Sequence, residues 1–226
     1  MTDFKSYDDM FSSLKANPDS IHYQDKNGNT ILHHIPLNIR IDRVGWAKLV
    51  KSFITKESLL IANNKGNLPI DIAIAYVEIS RCRYFVKILL KKSDNFGIKY
   101  EDHIDLKKRI HPLHMLIRSH RDMAWGFGNN YDTVEFFKTC CPNTFNPNIV
   151  YIDSEGKEIT PLVLAFLLYH IEEAETLLKN NADIKIGSCK EIIEHTLDLI
   201  KEKNSDDYTV LSNKLVHIQK EYFSVV

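Results

Sequence analysis

Few side chains in this sequence can do chemistry, and their spacing limits what that chemistry is. His111 and His114 stand three apart, with His103 and His120 nearby in sequence, and two histidines at that spacing can share a helix face and hold a metal. A zinc site needs three or four converging ligands. No acidic or thiol ligand stands at a fixed offset from the pair, and Pro112 places His111 at or before a helix start, where it points differently from His114. No metal site is expected. The vicinal Cys140 and Cys141 precede Pro142 and end a helical stretch, where the helix field disfavours a thiolate. With Cys82 and Cys189 they form no C-x-x-C pair, so four buried, reduced thiols are expected. No G-x-S-x-G, phosphate-cradling glycine loop, H-E-x-x-H or kinase signature occurs, and there are only eight glycines. The chain is expected to be non-catalytic and without a cofactor.

The elements that would position such residues are clearest from Thr160 to Asp183. Thr160 caps a helix, Pro161 takes the first helical position, and Leu162, Ala165 and Phe166 share one face. A second helix follows through Ala174, Leu177 and Leu178, closed by Asn180-Asn181 with a left-handed residue. Neither is long enough to stand alone, and copies of the hairpin would cover the exposed apolar stripe.

Copies are present. Asp25-Lys26-Asn27-Gly28 leads into Thr30-Ile31-Leu32-His33, and Asn63-Asn64-Lys65-Gly66 leads into Pro69-Ile70-Asp71-Ile72-Ala73 with Val86–Leu90 behind it. His111-Pro112-Leu113-His114 is a weaker third copy followed by Val134–Phe137, and Asp153-Ser154-Glu155-Gly156 precedes the fourth. Such residues resemble the ankyrin-repeat family, whose unit is a turn plus two antiparallel helices with a T-P-L-H-x-A signature. The resemblance implies an all-α solenoid of helix-turn-helix units with short β-turn fingers. It assigns residues 1–24 to an N-terminal helical cap, about 25–62, 63–105, 106–152 and 153–189 to four degenerate repeats, and 190–226 to a two-helix C-terminal cap. It also implies that His33 and His114 bond the backbone of the neighbouring turn, a role that Asp71 and Val163 cannot fill in the same way.

The copies depart from the family pattern in length. From Ile31 to Pro69, Pro69 to Pro112 and Pro112 to Pro161 the separations are 38, 43 and 49 residues, against roughly 33 in a regular repeat. Pro36 is expected to end the first helix early. Gly156 stands two residues farther from its Thr-Pro than usual, which predicts a longer finger. Ser119 to Asn130 has no helical period and reads as a loop.

The ankyrin resemblance implies a concave recognition face made of turn tips and first helices: Lys26, Asn27 and Asn29, then Asn64, Lys65 and Asn67, then Lys107 and Lys108, continued by Leu37, Tyr76 and Arg118. The third tip is basic, and with Arg109, Arg118, Arg121, His111 and His120 it suits an acidic partner surface. Trp125 and Phe127, beside Arg121 in the irregular loop, have the character of interface anchors. At 226 residues, 44% hydrophobic content and a formal net charge of -1, the composition argues against a nucleic-acid role. There is no apolar run of membrane-spanning length and no signal-peptide pattern, so a monomer in the cytoplasm is expected. Its Asn-, Lys- and Ile-rich irregular repeats resemble those of ankyrin-containing bacterial effectors and viral host-interaction proteins, for which the host cytoplasm would be the site of action. Protein recognition as an adaptor, scaffold or inhibitor is the resulting expectation. Two alternatives stay open: an enzyme that uses the repeats as a docking platform, and a binder of phosphate or another anionic ligand through the basic third repeat.

Overall fold

A computed structural model describes residues 7–37, 47, 48, 50–76, 82–106, 109–119, 132–187, 189–202 and 206–223. Among them the chain is mostly helical, with one two-stranded antiparallel sheet. The α-helices are α1 (Tyr7–Ala16), α2 (Ile31–Leu37), α3 (Lys56–Leu60), α4 (Pro69–Ala75), α5 (Cys82–Asn95), α6 (Pro112–Arg118), α7 (Thr133–Cys140), α8 (Pro161–Leu167), α9 (Ile171–Lys179), α10 (Cys189–Glu202) and α11 (Asp206–Tyr222). No helix among the described residues is long and apolar enough to cross a membrane. The chain divides into two compact units. Among described residues, the first holds those up to 103 together with Cys140–Thr144, and the second holds 104–119, 132–139 and those from 145 onward.

In the first unit α2 packs on α4, α3 on α5, and α4 on α5. Their apolar faces, including Ile31, Leu32, Ile35, Ile70, Ile74, Phe85 and Leu89, are almost wholly buried. Two of these helices have side chains that secure their first turns. Thr55 and Ser58 form a reciprocal capping box on α3, while Asp71 bonds back to the Leu68 N–H at 2.7 Å to start α4. In the last turn of α5, the buried Asp94 carboxylate binds residues about fifty positions away: it accepts from the Asn143 N–H and amide at 3.0 and 2.8 Å, and from the Thr144 N–H and hydroxyl at 2.9 and 3.0 Å. Four hydrogen bonds are what let a carboxylate stay buried.

In the second unit α6 packs on α8, α8 on α9 and α10, and α9 and α10 on α11. Asp132 caps α7 through the Val134 and Glu135 N–H groups, and its other oxygen accepts from the Thr176 hydroxyl on α9. Burial lifts the Asp132 carboxyl above the usual carboxylate range, against the pull of these bonds. Strands β1 (Tyr151–Ile152) and β2 (Glu158–Ile159) pair with Tyr151 opposite Ile159.

Two local expectations meet the structure differently. The longer finger at Gly156 is present: the turn Asp153–Lys157 has the same bonds as Asp25–Asn29, and the two added residues form β2. Pro36, by contrast, does not shorten α2. Helices α2, α4, α6 and α8 are all seven residues long, and Pro36 is the sixth residue of the first. Its ring is accommodated there at the cost of one backbone hydrogen bond, and the helix runs on to Leu37.

Candidate functional site

Three turns are built on one pattern. The side-chain oxygen Oδ1 of Asp25, Asn63 and Asp153 accepts from the N–H groups two and four residues on, at 2.8–3.0 Å. A glycine three residues on takes the left-handed backbone the turn needs, with φ of 75°, 80° and 81° at Gly28, Gly66 and Gly156. Asp183 starts a fourth, looser version, in which Oδ1 accepts from Lys185 N–H at 2.9 Å. Each turn therefore closes on itself and projects the side chains at its tip.

Histidines tie successive turns together. His33 Nε2 lies 2.9 Å from the Asn67 carbonyl, and His114 Nε2 lies 3.1 Å from that of Ile159. Both carbonyls sit two residues before the proline that opens the next first helix, so the two ties are equivalent. Asp71 accepts from the Leu68 N–H at its own helix start, and the Val163 side chain has no polar atom. Burial, with the nearby His111 adding to it, pushes the His114 imidazole down to about 3. Burial also lowers His33, against the opposing pull of its Asn67 bond.

The first two tips meet closely in the first unit. Asn64 N–H donates to the Asn27 carbonyl at 2.9 Å, the Asn64 amide to the Lys26 carbonyl at 3.0 Å, and the Asn63 amide to Asn29 Oδ1 at 2.9 Å. Between them opens a cleft of about 340 Å³ lined by Asn27, Asn29, Asn63, Asn64, Lys65 and Asn67, over Leu37, Ile72 and Tyr76. The structure thus gathers Asn27, Asn29, Asn64, Lys65, Asn67 and Tyr76 in one place. Lys26 is exposed beside them. Five of the cleft's lining residues are asparagines, whose amides are donors and acceptors without charge, and Lys65 is its one cation.

The second unit holds a cleft of the same construction that the sequence did not reveal. Asp153, Glu155, Lys157, Glu158, Lys185 and Gly187 surround Ile159, Val163, Leu167 and Ile192 in a volume of about 750 Å³. Leu37 and Leu167 are both the last residue of a seven-residue helix, and Ile72 and Ile192 are both the fourth residue of the helix that follows the next turn. Aligning the turn at Asp183 with the other three was the available clue; it was hidden because Gly187 stands one position later than in the others.

The remaining candidates are dispersed. Arg118 is exposed at the end of α6 and lines neither cleft. His111 is buried, accepting the Leu113 N–H on Nδ1 at 3.1 Å with its ring 6.2 Å from that of His114, so it cannot belong to a surface basic patch. Lys107, Lys108, His120, Arg121, Trp125 and Phe127, with most of the Ser119–Asn130 loop, lie outside the described residues. Among the described residues no group of three His, Cys, Asp or Glu side chains converges to hold a metal. The four cysteines are free and buried, and burial raises the thiols of Cys140, Cys141 and Cys189, the last to about 12. No known protein-family model, curated protein or solved structure matches the chain.

Proposed function

We propose that this chain is a non-catalytic protein-recognition module of ankyrin-like repeats, which binds its partner through the turn tips and first helices as an adaptor, scaffold or inhibitor. The observation that carries the reading is the amide-lined cleft: six residues marked by their place in the repeat pattern line one concavity of about 340 Å³. Polar tips above an apolar floor of Leu37 and Ile72 suit a peptide backbone with side chains beneath it. The equivalent ties from His33 and His114 and the recurring turn at Asp25, Asn63 and Asp153 support the ankyrin-like stacking. Four buried thiols suit action in a reducing cytoplasm, whether the cell's own or a host's.

The test is affinity capture with the intact chain, followed by titration of the principal captured protein. Joint Asn27→Ala and Tyr76→Ala substitution is expected to weaken that complex at least about tenfold while moving the unfolding midpoint by less than about 2 °C. Full affinity in the double variant would overturn the reading. A Trp125→Ala, Arg121→Ala pair tested in parallel separates the loop's contribution from the cleft's.

A further inference from the structure

Three helices end in the same way. After α5, α8 and α9 the chain turns through one left-handed residue, Gly97 (φ 63°), Tyr169 (φ 61°) and Asn181 (φ 64°), and the following N–H reaches back five residues, to Ser93, Ala165 and Leu177. Glycine adopts that backbone freely and asparagine tolerates it, but an aromatic residue there is strained by its Cβ. Tyr169 is also 39% exposed, and it follows Leu167 at 48% and Leu168 at 36%. Three large side chains in a row thus face solvent at a strained turn, an arrangement that costs stability.

Leu167 leads from this turn into the charged cleft of the second unit, where Ile159, Val163 and Ile192 complete an apolar floor. The rim carries three carboxylates, Asp153, Glu155 and Glu158, against two lysines, Lys157 and Lys185. An apolar floor under a rim with excess carboxylate fits an aliphatic side chain flanked by cations. We propose that the cleft and the Leu167–Tyr169 turn form a second recognition site, for a peptide segment of a partner protein that presents an aliphatic residue beside Lys or Arg. The site stands apart from the amide cleft in the residues that build it and in the charge it selects.

Random dodecapeptides displayed on phage and panned on the intact chain test it. Peptides joining an aliphatic residue to Lys or Arg are expected to be enriched. A synthetic copy of one should bind Leu167→Asp about tenfold more weakly and Glu158→Lys about threefold more weakly, with the Asn27→Ala, Tyr76→Ala variant unaffected. Tyr169→Gly should lose affinity while its unfolding midpoint rises by about 3 °C, the signature of a residue kept for binding against stability. Absent or acidic enrichment, or indifference to Leu167→Asp, would overturn the proposal. A fall in midpoint for Tyr169→Gly would also overturn it, by making Tyr169 a packing residue. Self-association in sedimentation that Leu167→Asp abolishes would do so too, since the occupant would then be a second copy. A loss confined to the Asn27 and Tyr76 variant bears on the amide cleft alone.

Discussion

The two clefts are made from corresponding parts and offer opposite chemistry. In each, two turns flank the last residue of one short helix and the fourth residue of a later one, Leu37 with Ile72 and Leu167 with Ile192. Yet the first presents asparagines and the second presents carboxylates and lysines. The turn's own bonds run through its backbone and its first side chain, so the tip residues are not needed to hold it and are free to differ. In each cleft one turn glycine lies tight against its neighbour, Gly28 against Asn64 and Gly187 against the Glu158 carbonyl, while Gly66 and Gly156 stand open.

The sharpest way to break the comparison is at the glycines. A Cβ on Gly28 would lie 2.5 Å from Asn64 Oδ1 and 2.6 Å from its backbone nitrogen, whereas a Cβ on Gly156 would meet nothing within 4 Å. Gly28→Ala adds that clash to left-handed strain and is expected to cost about 3 kcal/mol in denaturant unfolding, whereas Gly156→Ala should cost about 1 kcal/mol for strain alone. Equal losses would mean that the first two turns are not joined as described. The buried histidine ties allow a second test. With the His114 imidazole at about 3 when folded and 6.5 when free, the unfolded chain takes up a proton in that interval and the folded chain does not. Its contribution is therefore complete above pH 6.5 and declines as pH falls towards 3, at up to about 1.4 kcal/mol per pH unit. His114→Gln should flatten the fall of the unfolding midpoint across that range. His33→Gln should flatten it less, because the His33 ring keeps a polar partner in Thr30 on its other nitrogen while His114 Nδ1 has none. The smallest effect is expected at the Lys157–Glu155 pair, where both partners are 68% exposed: Glu155→Gln should leave the unfolding midpoint unchanged at both low and high salt.

The sequence was most readable where one residue's chemistry dictates its backbone. Gly28, Gly66 and Gly156 signalled left-handed turns, Pro69, Pro112 and Pro161 marked first helical positions, and Asn181 was legible as a helix end, all as found. Where position depends on tertiary partners, the sequence was silent. Nothing local to Asp94 foretold its bonds to Asn143 and Thr144, and Tyr169 in a left-handed turn runs against its own propensity. Pro36 lies at the sixth of seven positions in α2, where proline does not break a helix as it does in an interior. Half of the candidate site was legible because the asparagine tips repeat at matched places. The charged cleft was not, since its aliphatic floor looked like ordinary core and its fourth turn was out of register.

The Asp94 cluster has a practical bearing on how this chain can be divided. The first unit is not one continuous stretch: it takes back Cys140–Thr144 after the chain has contributed residues elsewhere. A fragment stopped at residue 103 would keep the buried carboxylate and lose every donor from Asn143 and Thr144 that holds it there. Dissecting the molecule at the midpoint of its sequence therefore strands an anion, and an N-terminal piece meant to stand by itself has to run past Thr144.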